Sequence, residues 1–483
     1  MRLLAASVLA GSLFAMTSPS FGGDIRTVKV FSSLDAQVFL NTLESFSLNQ
    51  RNVIANADLM PTGADAAQAD ASVIPRVLKV PADVVRRNLL SLNTGDLDAL
   101  LAAASADSNV EPVLSLSLFD DVNINVLPST IRTLEDGSVS IAGTVQDAPG
   151  SVVSLIKKGS DLSGTVQTGT SIFELRPSNP SEPAGAADYL SSKTLFDQVK
   201  PVTYLDEPPP ETLKIKPPKK DGGLDLNFEP PAGNDPTQPT IVPNVDFIVF
   251  FTKESAKQAL EKNGQTPSQF AEAAIRLTQQ TLDNSQIRQH LVLKKAEEID
   301  YAETGNIILD RDRIQAGSDG LEQVMQRRDA TNSDVAVLIV EDSGPYCGIA
   351  YIPEDLSLDY SDFAIMVVAR TCAMRNHSFP HEYGHLNGAR HDRYTDNSGM
   401  PMADAHGVIY KISEGKYGRD VMAYPGYCKN VLQIDTDTNC FRQGVWSGQG
   451  WTYGELLKSS DDDVDNNSRR TLRLFGPIIS AYR

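Results

Sequence analysis

His381, Glu382, His385, Gly388 and His391 fill the pattern H-E-x-x-H-x-x-G-x-x-H, and no other stretch of the 483 residues restricts the fold as tightly. Residues four apart share one face of a helix, so His381 and His385 can grip one metal ion together. Glu382 projects from beside them and can reach a water on that ion rather than the ion itself. Gly388 can adopt positive φ, end the helix and turn the chain back. His391 then becomes a third ligand. Three imidazoles leave one tetrahedral position open for water, the layout of a catalytic zinc site, whereas a structural site closes with four protein ligands. A bare His-Glu-x-x-His arises by chance on many surface helices. Here five positions are fixed, and three of only six histidines fall inside the pattern.

The extended pattern is the metzincin signature, which expects a Met-turn downstream. Arg419-Asp420-Val421-Met422-Ala423-Tyr424-Pro425 matches such a turn. By that resemblance Met422 forms a packing floor beneath the histidines. Tyr424 takes the place where the astacin and serralysin branches carry a Tyr near the zinc. Asp392 after the third His is similar to the adamalysin (reprolysin) branch. Together with Asp300–Gly305, Val340–Tyr351 and Arg370–Ala373, these features look most like the bacterial reprolysin-like enzymes of the peptidyl-Asp metalloendopeptidase group. The resemblance covers roughly the second half of the chain. It implies a zinc endopeptidase with His381, His385 and His391 as metal ligands and Glu382 and Tyr424 as catalytic residues. Cleavage beside Asp is implied by the resemblance alone.

Length allows two or three domains, and 41% hydrophobic with 22% charged residues is ordinary for globular protein. A net charge of −19 argues against nucleic acid or an anionic membrane as partner. Residues 1–22 read as a signal peptide: Arg2, an apolar stretch from Leu3 to Met16 too short to span a bilayer, then small residues at Ser18, Ser20 and Gly22. Export and release follow, with no membrane association afterwards. An even count of four cysteines in an exported chain favours disulfides. Three pairings are possible. Cys347–Cys372 with Cys428–Cys440 closes the smallest loops and is favoured.

The expected fold is α+β: a mostly antiparallel β-rich module over 23–204, a Pro-rich linker over 205–243, and a metzincin-like α/β catalytic domain with a mixed sheet and a zinc-binding helix over 244–483. Leu34 to Leu48 and Asp83 to Ala104 have helical periodicity. From about 110 onward short alternating runs such as Leu114-Ser-Leu-Ser-Leu118, separated by turn signals, predict an antiparallel sheet with one wet face. Its place suggests a propeptide that assists folding and acts as an intramolecular inhibitor. It holds no cysteine, which excludes a thiolate latch on the metal. Lys219-Lys220-Asp221-Gly222-Gly223 in the linker is an accessible candidate for activating cleavage.

In the second half, Val245–Phe251, Leu291–Ile299, Val335–Val340 and Phe363–Arg370 read as strands. Thr266-Pro267-Ser268-Gln269 is a capping box opening a helix to about Ser285. A further helix is expected over Asp319–Arg328, and a C-terminal one over Arg470–Tyr482, interrupted near Gly476-Pro477. The tryptophan loop 444–451 is expected to pack in the core. Asp461–Asp465 offers carboxylates to Ca2+ but lacks EF-hand spacing, so a solvated loop is expected. His377, four residues before His381, is excluded from the site because Pro380 opposes a continuous helix there. The whole implies a secreted zinc endopeptidase, made as a precursor, that hydrolyses protein or peptide substrates through zinc-activated water and a Glu general base. Two alternatives are an inactive binding protein on the same fold and a zinc amidase acting on cell-wall crosslinks.

Overall fold

The structure is a computed structural model and describes residues 24–29, 31–32, 82–106, 110–177, 193–202, 242–354, 359–448, 452–456 and 466–483. The signal peptide, the helix expected over Leu34–Leu48, the Lys219–Gly223 cleavage candidate, Trp451 and the acidic run lie outside these residues. Among them, no helix is long and apolar enough to cross a membrane.

The first sheet comprises β1 (Asp24–Lys29), β2 (Phe31–Ser32), β3 (Val84–Leu92), β4 (Val110–Phe119), β5 (Val122–Thr133), β6 (Val139–Val145), β7 (Val152–Lys158), β8 (Asp161–Gln167), β9 (Ile172–Pro177) and β10 (Lys193–Val199). Its order is β1-β4-β5-β6-β7-β8-β9-β10-β3-β2, antiparallel except for the β1–β4 pair. The sheet curls until β3 meets β4: Asn88 donates to the Leu118 carbonyl at 2.7 Å, and the Arg86 guanidinium lies 4.1 Å from the Phe119 ring centre. Leucines 97, 100 and 101 of α1 (Thr94–Ala106) fill the hollow with Leu116, Val153, Leu155 and Phe196. The helix expected from Asp83 is therefore half strand. Arg87 is the reason: it points inward on β3 and is neutralised by a bidentate pair with Asp197 of β10, at 2.5 and 2.6 Å, a pairing no local pattern announces.

The second sheet, in the order β12-β11-β13-β15-β14, joins β11 (Asn244–Thr252), β12 (His290–Ile299), β13 (Val335–Val340), β14 (Gly348–Ala350) and β15 (Ile365–Ala369). All its pairs are parallel except β14 with β15 at the edge. β11 shows how it is sandwiched. Val245, Phe247, Val249 and Phe251 face one layer, and Ile248 and Phe250 face the other. The first layer holds α2 (Pro267–Asn284); the second holds α3 (Ile307–Ala316) and α4 (Gln323–Ala330). Burial on both faces is why β13 reads Val-Ala-Val-Leu-Ile-Val without alternation. Thr266 and Gln269 cap each other reciprocally at the start of α2, an arrangement worth about 1 kcal/mol. The helix expected over Asp319–Arg328 starts at Gln323, after Asp319 and Gly320 take positive φ.

A third, small sheet carries β16 (Ile409–Ser413), β17 (Lys416–Arg419), β18 (Cys440–Arg442) and β19 (Glu455–Leu456), in the order β18-β17-β16-β19. The disulfides are Cys347–Cys372 and Cys428–Cys440.

The wet face expected of the first sheet is present along β5, where Asn123, Asn125 and Leu127 are exposed, and is lost at β7. Val153 and Leu155 face the α1 side, while Val152 and Ile156 belong to the same core as Phe270, Ala273 and Ala274 of α2. Ser154 Oγ donates to the Ala273 carbonyl at 2.8 Å, and Gln167 reaches the Met374 carbonyl at 2.7 Å. At β7 the face turned away from α1 is covered by α2.

Candidate metal centre

The helix that carries the motif, α5 (Ser378–Leu386), starts abruptly. His377 before it has φ 53°, so the preceding chain approaches at an angle. Pro380 falls in the first helical turn, where its missing N–H costs nothing. One face, Phe379, Tyr383 and Leu386, joins the core, with Phe247 ring centres 6.0 and 5.6 Å from Phe379 and Tyr383. The opposite face carries His381 and His385. Gly388, at φ 76°, ends the helix, and the Ala389 N–H donates to the Gly384 carbonyl at 2.9 Å. From there the chain turns back through His391.

His381, His385 and His391 are all buried, and one ring nitrogen from each lies within 4.8 Å of the others. The Nδ1 atoms of His381 and His385 lie 2.8 and 2.9 Å from the carbonyls of Val421 and Ala389. Carbonyls only accept, so both Nδ1 atoms carry protons and both Nε2 atoms present lone pairs. The Nε2 atoms of His385 and His391 lie 3.0 Å apart. At that separation a proton or a cation lies between the two nitrogens. An ion with imidazole ligands at about 2.0–2.1 Å in tetrahedral geometry holds its nitrogens about 3.4 Å apart. The donor set, the burial and the carbonyl-fixed tautomers therefore fit a zinc ion.

Met422 and Tyr424 lie under and beside this cluster. The Met422 sulfur packs so close to α5 that a Cβ on Gly384 would meet it at 2.5 Å and the Trp446 ring at 2.7 Å. Trp446 is in the core, its Nε1 donating to Thr281 Oγ1 at 3.0 Å. Asp420 shapes the turn by accepting from the N–H groups of Met422, Ala423 and Ser447 at 2.9 to 3.0 Å. Burial pushes its carboxyl up to about 7. Tyr424 OH lies 3.4 Å from His381 Nε2, and its ring centre 4.4 Å from that of His391. Asp392 ties the two halves together: it accepts from the Tyr424 N–H at 2.9 Å and from Thr395 Oγ1 at 3.1 Å.

Glu382 is buried, and its carboxylate lies against Gly348 of the edge strand β14; a Cβ at Gly348 would collide with it. The Cys347–Cys372 disulfide fastens the start of that strand to the residues before α5. His377 is buried outside the cluster, and neither of its nitrogens is hydrogen-bonded. His290 bonds Asn244 at 3.2 Å, away from the site. His406 has a role that spacing in the sequence does not signal: its ring lies between the His391 carbonyl, 2.7 Å from Nδ1, and the Ser398 carbonyl, 2.8 Å from Nε2, and holds the returning chain. Gly348 is likewise invisible to a local motif, because only strand pairing brings it to Glu382.

Residues 271–392, from the second turn of α2 to the residue after His391, match the metallo-peptidase family M12B reprolysin-like model. The chain is 26% identical over 354 residues to a peptidyl-Asp metalloendopeptidase of Stenotrophomonas maltophilia strain K279a, across 73% of this chain and 75% of that one. A peptidyl-Asp metalloendopeptidase of Xanthomonas campestris pv. campestris is 26% identical over 412 residues, across 83% of this chain and 88% of that one. An alignment of that length includes residues of the first sheet. Among solved structures, metalloproteinase-II from Bacteroides fragilis covers 61% of this chain and 85% of its own at 14% identity, with a TM-score of 0.37, too distant a likeness to carry weight.

Proposed function

We propose that this reprolysin-like metallopeptidase is a secreted, zinc-dependent endopeptidase made as a precursor, with His381, His385 and His391 holding the ion, Glu382 as general base and Tyr424 assisting. The observation that carries the reading is the convergence of three buried imidazoles, two of them with tautomers fixed by carbonyls, beside one buried carboxylate. When bound, zinc supplies Lewis acidity toward a water molecule and a carbonyl. The chain's own groups do the rest. Glu382 accepts the water proton and delivers it to the leaving amine. Held against Gly348, its carboxylate has a fixed approach to an extended peptide laid along the edge strand β14. Tyr424 donates its hydroxyl proton as a hydrogen bond to the developing oxyanion. Burial of the cluster keeps bulk solvent from the reacting water.

The relatives' names support a finer reading, cleavage next to Asp. The first sheet serves as a propeptide-like module. Its contacts along α2 and onto Met374, Arg375 and Asn376, just before α5, support a part in folding the catalytic half. Inhibition is tested by adding the separately expressed module to active enzyme; an unchanged rate rules out masking. For the central reading, Glu382→Ala should keep one zinc per chain and lose most casein hydrolysis. A variant that cleaves at the wild-type rate removes Glu382 from the mechanism.

A further inference from the structure

Two arginines stand side by side near the metal cluster. β17 and β18 pair in parallel, and the register places Arg419 opposite Arg442. Like charges opposed across strands are destabilising. Among the described residues neither guanidinium has a carboxylate at ion-pair distance. They hold carbonyls instead. Arg419 donates to Ala423 at 2.7 Å and Cys440 at 3.1 Å; Arg442 donates to Asn376 at 2.9 Å and Ala423 at 3.4 Å. The carboxylates that attract Arg419 from farther off, Asp392 and Asp420, are already engaged by backbone N–H groups of the Met-turn. Burial and the neighbouring Arg442 charge pull Arg419 down to about 9, which marks how poorly this positive charge is compensated.

The pair sits one ring away from the chemistry. Arg442 Cζ is 5.4 Å from the Tyr424 ring centre, which is in turn 5.4 Å from that of His381. Arg419 is buried, whereas Arg442 is partly exposed and is the one a ligand can reach. A guanidinium has five N–H donors in a fork that matches a carboxylate, and only two bonds from Arg442 are taken. Chains that break a local rule without internal compensation tend to do so at functional sites.

We infer that Arg442, backed by Arg419, forms the subsite that receives an acidic substrate side chain flanking the scissile bond. The inference rests on the endopeptidase reading above and deepens it by naming the residue that selects the substrate. Arg442 is a specificity residue; its contact is with the substrate side chain and not with the reacting atoms.

The test uses zinc-loaded enzyme and quenched fluorescent peptides that are identical except for Asp, Asn or Lys at one position beside the cleaved bond. Wild type should favour Asp over Asn by about 100-fold in kcat/KM, the scale of a charge-assisted hydrogen bond. Arg442→Gln should lose most of that ratio, and Arg442→Glu should favour Lys. Arg442→Lys guards against a folding defect: it keeps the charge without the fork and should fall between wild type and Gln. An Asp:Asn ratio unchanged in both the Gln and Lys variants overturns the proposal, as does a wild-type ratio near one. Failure of wild type to cut any of the peptides counts against the endopeptidase reading itself.

Discussion

Gly348 and Glu382 touch so closely that the smallest added side chain must move one of them. Gly348→Ala should therefore retain zinc and lower kcat by at least about 100-fold through displacement of the carboxylate. Full activity with normal zinc would show that Glu382 does not need its seat on β14. Tyr424→Phe removes a donor worth roughly 3–4 kcal/mol if it meets the oxyanion. It should lower kcat with little change in KM, and an unaltered kcat would reduce Tyr424 to packing. The metal cluster was legible in the sequence because its geometry is local: i and i+4 on one helix, then a glycine turn. Gly348, His406 and Arg442 were not, since strand pairing and long returns bring them to the site from 34 residues before Glu382 to 51 after His391.

Elements were readable where burial leaves a simple pattern. β11 and β13 are unbroken apolar runs, and α2 announces itself by its capping box. α3 escaped because its buried face includes Asp310 and Arg311 as well as Ile307 and Ile314, so no apolar stripe shows. The C-terminal helix α6 (Ser468–Ile479) was expected to break near Gly476-Pro477 but runs through them. Gly476 is there because Gln289 packs against it and leaves no room for a Cβ. At the join of β11 and β13, Asp334 accepts from the Asp246 N–H at 2.8 Å. Burial raises its carboxyl from 3.8 to about 6. The protonated form is thus favoured on folding. Its stabilisation is complete below about pH 4 and is lost as pH rises through about 6. Asp334→Asn, which cannot ionise, should gain on the order of 3 kcal/mol relative to wild type between pH 4 and 7 by denaturant unfolding. A difference independent of pH would contradict the raised carboxyl.

The molecule as a whole is built around α2, which lies between the two large sheets and gives buried side chains to a core shared by both. Arg375, just before α5, adds ion pairs to Glu174 at 2.9 Å and Asp83 at 2.6 Å. Cutting the chain between residues 203 and 241 should therefore leave two fragments that co-elute on gel filtration. A chain beginning at residue 242 should melt at lower temperature or aggregate, because Phe270 and its neighbours lose their cover. Separation of the cut fragments under native conditions would refute the shared core. Composition could not reveal this, since the apolar run of β7 shows that both faces are buried without showing what covers the second one. The most direct test of the account is zinc X-ray absorption spectroscopy on the purified wild-type chain. It should show one zinc with three imidazole nitrogens and one non-protein oxygen ligand, all at about 2.0 Å. Absence of zinc, or a shell closed by four protein ligands, would contradict it.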